Sequence, residues 1–440
     1  MVKQAKEMCR STKKLCHIFR CGTYFKKKRT KVCHKDIDVA DSHDVDTREH
    51  LNEVEGHLQS LVKEISIKDN FKAGLNDIII LVYSMVRFLY FQLNSCQSQF
   101  RFDGIISTGS VADGTKIMAP DEFDFLITID ADIQAMVAKA CAGGFAHIET
   151  TSSNRSKEET YFDDNWKFSV VFRNKFRQLF HYIVARHIGK IFEADNGHLT
   201  LKGYSVPING PQCSVRVLWC PKIGENLEIV VDITPAIKCS KSIESLITAD
   251  EVDDNIRKLL NENDQVYLVP KPQPCCNRCY KLVFDQADKA MCSSLQEHHR
   301  KCLLVLKYLA IQIQNYDFRF RKTFSSFSMK MAMYQHTIHC DKNKPVVDCL
   351  ASVVCYLLEC LKQKNPTLSS VFTPERNIWS NTRICPGIGI SDRDIAVDIL
   401  TTIIDVLKTS ADSYDCFIDS IKAACRHIKS MDEKCTIEVH

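Results

Sequence analysis

Apolar residues recur at three- and four-residue intervals from about Asp46 to Cys96, at Leu51, Val54, Leu58, Leu61, Val62 and Ile65 and then through LNDIIILVYSMVRFLYFQL. This period predicts a long helix or a helix pair, broken near Lys68-Asp69-Asn70, that acts as a spine for other elements. From there to about residue 240 the pattern shortens to alternation and β-branched runs in DGIIST, EFDFLITI, YSVPI, CSVRVLWC and LEIVVDITPAI, with a mixed, partly helical insert around residues 165 to 193. After YLVPKPQPCC the helical period returns in YKLVFDQADKAM, HRKCLLVLKYLAIQIQ, FSSFSMKMAMYQ, VVDCLASVVCYLLECLKQ, DRDIAVDILTTIIDVLK and YDCFIDSIKAACRHIK. The chain reads as α+β and bilobal: an arm over 1–45, a spine and mixed twisted sheet over 46–268, and a helical lobe over 269–440. No repeat or low-complexity linker separates the lobes, so they are expected to pack together.

Composition adds four points. The 440 residues are 45% hydrophobic, enough for a large bilobal core. No run of eighteen or more apolar residues occurs and the N-terminal segment has no apolar block, so a cytoplasmic location without a membrane is expected. The 22 cysteines are scattered through apolar helical segments and read as reduced, buried small hydrophobes. The net charge of +4 is uninformative, but residues 1 to 35 carry roughly a dozen Lys or Arg against one acid. That arm either lies on nucleic acid or acidic lipid or is a solvated tail.

One stretch carries chemistry. In GSVADGTKIMAPDEFDFLITID, residues 109 to 130, Glu122 and Asp124 alternate on the expected strand, so both project to one side while Phe123 and Phe125 go to the other. Carboxylates held that close commonly share a cation, and hard oxygen ligands suit Mg2+ or Mn2+, although solvated faces also produce this spacing by chance. A third acid, Asp232, interrupts the run LEIVVDITPAI, which otherwise reads as a central buried strand; there it needs a metal, a base or a donor. Upstream, DGIIST runs into Gly109-Ser110, either an ordinary tight turn or one whose serine and following amides donate to phosphate oxygens. Turn, paired acids and a distant third acid follow the order that two-metal nucleotidyl transfer requires.

This constellation resembles the nucleotidyltransferase superfamily, and more closely the cGAS-like receptor family, the cyclic GMP-AMP synthase-like, male-abnormal-type nucleotidyltransferases. TGSVADGTKIMAPDEFDFLITI is similar to that family's activation loop and catalytic strand. VVDITPAI, YLVPK, RKCLLVLKYL and FSSFSMKMAMYQH resemble its V-D-I-T, Y-L-V-P-K, L-K-Y-L and S-S-[YF]-x-x-K-x-A segments, in the family's order over roughly residues 50 to 385.

The resemblance implies metal ligands at Glu122, Asp124 and Asp232, with Asp232 also helping to deprotonate the attacking hydroxyl. Thr108, Gly109 and Ser110 would meet nucleotide phosphate, Lys307 would reach the triphosphate from the helical lobe, and Ser325 and Ser326 would sit beside it. Phe327 stands where the family often has a base-stacking tyrosine, Lys281 where it has a guanine-reading arginine, and Asp288 where it has a nucleotide-contacting glutamate. By their own patterns Lys307 also reads as a snorkelling lysine, Ser325 and Ser326 as a helix cap and Phe327 as core. A lysine cannot reproduce a guanidinium fork, which leaves base choice open.

Vertebrate members carry a zinc loop where this chain has only CSSLQEHHRKC. Cys292, His298, His299 and Cys302 fit no usual zinc spacing, so core or surface roles and no structural zinc are expected. The element by which vertebrate members grip DNA is thus missing, and double-stranded RNA is favoured over DNA. The arm with Lys63, Lys68, Lys72, Lys289, Arg300 and Lys301 is the candidate phosphate-tracking platform, and Gly114 the candidate hinge. The expected activity joins ATP, GTP or other nucleoside triphosphates into a cyclic dinucleotide in response to duplex nucleic acid, as an innate immune sensor, with a ligand-induced dimer allowed. A catalytically silent interaction module and a linear oligonucleotide synthase are the alternatives.

Overall fold

The computed structural model describes residues 45–423 apart from 68, 97–99, 130–135, 142–143, 151–168, 206–209, 240–251, 264, 272–277, 341–343, 375, 380–389, 409–412 and 421. The basic arm up to residue 44, Lys68 and the side chain of Lys72 lie outside the described residues. The spine is a helix pair, α1 (Val45–Ile65) and α2 (Asp69–Ser95), broken where the periodicity breaks. In α1, Val54, Leu58, Leu61 and Ile65 are buried. In α2, Gly74–Ser95 is long and apolar enough, by length and composition alone, to cross a membrane. Its Ile78, Leu81, Val82, Met85, Val86, Leu89 and Leu93 are buried, while Asn76, Ser84, Arg87 and Asn94 face outward together with Ile80, Tyr83 and Phe91, so one side of the helix is core and the other is mixed.

The sheet lobe follows as β1 (Phe102–Thr108), the single turn α3 (Gly109–Ala112), β2 (Glu122–Ile129), β3 (Met136–Cys141), β4 (Phe145–Thr150), α4 (Ser169–Arg186), β5 (Ile191–Ala194), β6 (Gly197–Ser205), β7 (Cys213–Pro221), β8 (Leu227–Cys239), α5 (Asp254–Glu262), β9 (Val266–Val269) and β10 (Tyr280–Val283). The strands form one ten-stranded sheet in the order β3-β4-β10-β9-β8-β7-β6-β5, with β2 also on β8 and β1 on β2. The β2–β8 pair is parallel and the other described pairs are antiparallel. Strand β8 is central, as its composition predicts, but around Asp232 only one of its faces is core. Ile229, Val231 and Ile233 are buried, whereas Val230, Asp232 and Thr234 are half-buried.

The helical lobe comprises α6 (Asp285–Ser294), α7 (Glu297–Tyr316), α8 (Ser326–His339), α9 (Val346–Lys362) and α10 (Ile390–Lys408). The change from strands to helices falls at Asp285 rather than near Val269, and the expected boundary cuts β9. YKLVFDQADKAM divides into a strand and a helix because Tyr-Lys-Leu-Val completes the sheet, with Lys281 opposite both Val269 and Phe145. Helix α1 packs on α7 and α9 while α2 packs on α4, β1, β5 and β6, so the spine joins the lobes.

Candidate active site

Register across four strands builds the site. Thr108 on β1 lies opposite Asp124 on β2, Asp124 lies opposite Asp232 on β8, and Asp232 lies opposite Ser214 on β7. Directly paired residues share a face and neighbouring strands are about 4.8 Å apart, so the four side chains form one cross-strand row. Glu122, two residues before Asp124, shares that face. Each of Glu122, Asp124 and Asp232 offers a carboxylate oxygen within 4.8 Å of the others. Ser214 Oγ donates to Asp232 Oδ1, leaving the second oxygen of Asp232 for chemistry.

Glycine at 109 is dictated twice. Its φ of +76° is a conformation side chains rarely adopt, and a β-carbon there would stand 2.1 Å from Asp124 Oδ2. The bare turn lets the acid lie directly beneath Thr108-Gly109-Ser110, the segment expected to meet phosphate.

The row is electrostatically unsatisfied. Burial, then the charges of Glu122 and Asp232, push the Asp124 carboxyl up to about 7, with Lys116 opposing. Burial and Glu122 also raise Asp232, against its bond from Ser214 and the charge of Arg321. Lys116 pairs with Asp121 at 2.8 Å and Glu122 at 3.4 Å, so this one lysine is shared between two carboxylates while its charge also acts on Asp124. Three oxygen-donor acids with too little positive charge are a donor set that fits a hard divalent cation.

The loop after the turn is fastened on both sides. Lys330 of α8 bridges Asp113 (2.5 Å) and Asp288 (2.7 Å), and the Tyr334 hydroxyl donates to Asp288 Oδ1 at 3.0 Å. Lys307 donates to Thr115 O (2.9 Å) and Thr115 Oγ1 (2.6 Å), and burial brings its ammonium down to about 8. Arg300 donates to Gly114 O, Lys289 to Ser107 O and Asp285, and Met118 N to Ile65 O at the end of α1. Several expectations change accordingly. Lys307 and Asp288, expected at the nucleotide, are engaged within the chain, Lys307 by the loop residue Thr115 and Asp288 by Lys330 and Tyr334 of α8. Lys289 and Arg300, expected on an open platform, hold the turn and loop instead, and Lys301 pairs with Glu297. Lys63 remains exposed.

A separate wall gathers cations around an aromatic ring. Lys281 Nζ lies 5.3 Å and the Arg376 guanidinium 5.7 Å from the centre of the Phe327 ring. Burial and the charges of Arg376 and Lys271 hold Lys281 well below the ordinary lysine range, and burial brings Arg376 down to about 10. Ser325 caps α8, accepting from Ser328 N at 3.1 Å; Ser326 is exposed and Phe327 half-buried. The cap reading and a ligand contact are compatible for Ser325. Sequence patterns missed Ser214, Lys330 and Arg376, which owe their positions to strand register or to contacts between distant segments; Ser214 lay inside CSVRVLWC and Lys330 inside FSSFSMKMAMYQH, but neither had been given a role.

Residues 111–294 match the Mab-21 protein nucleotidyltransferase domain. Cyclic GMP-AMP synthase of Mus musculus is 22% identical over 353 residues, a match that takes in 74% of this chain and 66% of the mouse protein, so just under two thirds of that relative's length is spanned. The match runs from the residue after Gly109-Ser110 through all three acids to the end of α6. Residues 111–294 are therefore a Mab-21-type nucleotidyltransferase domain, and the chain as a whole is similar to the cGAS-like proteins.

Proposed function

We propose that the protein is a duplex-activated synthase that joins two nucleoside triphosphates into a cyclic dinucleotide at one site, releasing pyrophosphate at each transfer. The observation that carries this reading is the cross-strand row that sets Asp232 beside Asp124 under the Gly109 turn. Ser110 and Thr108 bind phosphate oxygens. Glu122, Asp124 and Asp232 would hold Mg2+ or Mn2+, which when bound supplies charge for the triphosphate and lowers the pKa of the attacking hydroxyl. Asp232, raised by burial and oriented by Ser214, takes the proton of that hydroxyl. Phe327 offers a face for base stacking, and Arg376 beside it offers the planar fork that Lys281 lacks.

Activation follows from the loop's attachments. Its backbone is bonded to the end of α1 on one side and to side chains of α7 on the other, and its Asp113 side chain to Lys330 of α8. Duplex nucleic acid, RNA before DNA, lying along the spine can therefore shift the loop between Asp113 and Glu122 and with it Lys116 over the acids. The test is product chromatography of purified protein with labelled triphosphates, Mn2+ and either duplex RNA or duplex DNA. A phosphatase-resistant dinucleotide that depends on duplex is expected. A linear product identifies an oligonucleotide synthase, and no product with any duplex contradicts the enzymatic reading.

A further inference from the structure

A second group of metal-capable side chains converges in the helical lobe, apart from the acidic row. His299, His336, Cys340 and Cys349 each offer a ligand atom within 4.8 Å of the others, and three of the four residues are buried. His299 comes from the first turn of α7, His336 from the last turn of α8, Cys340 from the residue that ends α8, and Cys349 from the first turn of α9. The Cys340 and Cys349 sulfurs are 3.7 Å apart. Two thiolates at about 2.3 Å from a tetrahedral zinc lie about 3.8 Å from one another, whereas a disulfide needs about 2.05 Å. The His299 and His336 rings are 5.7 Å apart and nearly perpendicular, at 87°, and His299 Nε2 is buried with no hydrogen-bond partner among the described residues.

We infer that these residues form a structural zinc site of Cys2His2 type that ties the ends of α7, α8 and α9 together. Donor chemistry selects the metal: two sulfurs and two imidazole nitrogens suit tetrahedral Zn2+ and not the hard Mg2+ or Mn2+ of a carboxylate site. Charge also balances, since two thiolates neutralise the ion and the assembly can be buried. Spacing along the sequence hid the site, because its ligands come from three helices and only His299 belongs to the segment 292–302 on which no zinc was expected. The site lies on the helices that carry Lys307 and Lys330, so it fixes the lobe against which the loop at 113–115 is fastened.

Full-length protein expressed with zinc and analysed by mass spectrometry of metals is expected to carry about one zinc per chain. Cobalt substitution should give the intense visible bands and the thiolate charge-transfer band of a tetrahedral sulfur–nitrogen site. Cys349→Ser should lose the zinc, whereas Asp124→Asn should retain it, which separates this site from the acidic row. A chelator should lower the melting temperature of wild type and leave that of Cys349→Ser unchanged. If Cys349→Ser does not fold, X-ray absorption of the wild-type metal decides, with two sulfur and two nitrogen neighbours expected. Wild type without zinc, zinc retained by folded Cys349→Ser, or a Cys340–Cys349 disulfide in metal-free protein would overturn the assignment.

Discussion

Gly109 is where the geometry of the site can be tested with a single methyl group. A β-carbon at this position would stand 2.1 Å from Asp124 Oδ2, against the 3.0 Å below which real contacts essentially never fall, so the carboxylate must retreat by about 1 Å. A misplacement of about 1 Å at a reacting centre costs roughly 100-fold in rate. The alanine also inherits a φ of +76°, a backbone strain of about 1–2 kcal/mol. Gly189, at φ +88° with nothing within 4 Å of its notional β-carbon, isolates that strain from the collision. Gly109→Ala and Gly189→Ala should therefore lose similar stability in urea melts, about 1–2 kcal/mol each. In the duplex-stimulated synthesis assay, Gly109→Ala should lose roughly 100-fold in turnover while Gly189→Ala stays within about twofold of wild type. Equal turnover of the two variants would refute the claim that the turn exists to admit the Asp124 carboxylate.

Two further outcomes follow from the charges. Asp124 is an acid raised by the fold from 3.8 to about 7, so its ionisation is a cost that sets in above pH 3.8 and is complete above about pH 7. In the presence of a chelator, Asp124→Asn should be the more stable protein at pH 8, by up to about 4 kcal/mol, with the gap closing as pH falls to 4; identical urea midpoints at pH 8 would contradict this. Lys330→Met leaves the Asp113 and Asp288 carboxylates without their shared cation and should cost about 3–5 kcal/mol. The released loop should be cleaved by trypsin after Lys116 faster than in wild type, and unchanged melting and cleavage would show that the bridge does not hold the loop.

Local pattern carried much of the site. Strand alternation set Glu122 and Asp124 on one face, and the single acid in a β-branched run marked Asp232, because both are properties of a few consecutive residues. Bringing those strands together depends on parallel register, which pairs Asp124 with Asp232 and Asp232 with Ser214; no local signal marks Ser214. Lys307 shows the opposite limit. Its helix was legible and a reach toward the triphosphate was implied by the resemblance, but the buried Thr115 captures its ammonium, a contact between segments far apart in the chain. Tyr280–Val283 was read as helix because the residues after it are helical, whereas in the fold it is a strand between β4 and β9.

The central claim is that three acids on two adjacent strands hold divalent cations under a triphosphate. Anomalous diffraction from crystals grown with Mn2+ and a non-hydrolysable ATP analogue tests it most directly. The account predicts manganese peaks about 4 Å apart, between the turn at Gly109-Ser110 and the carboxylates of Glu122, Asp124 and Asp232. Manganese absent from that row, or bound with Asp232 turned away from it, would contradict the account.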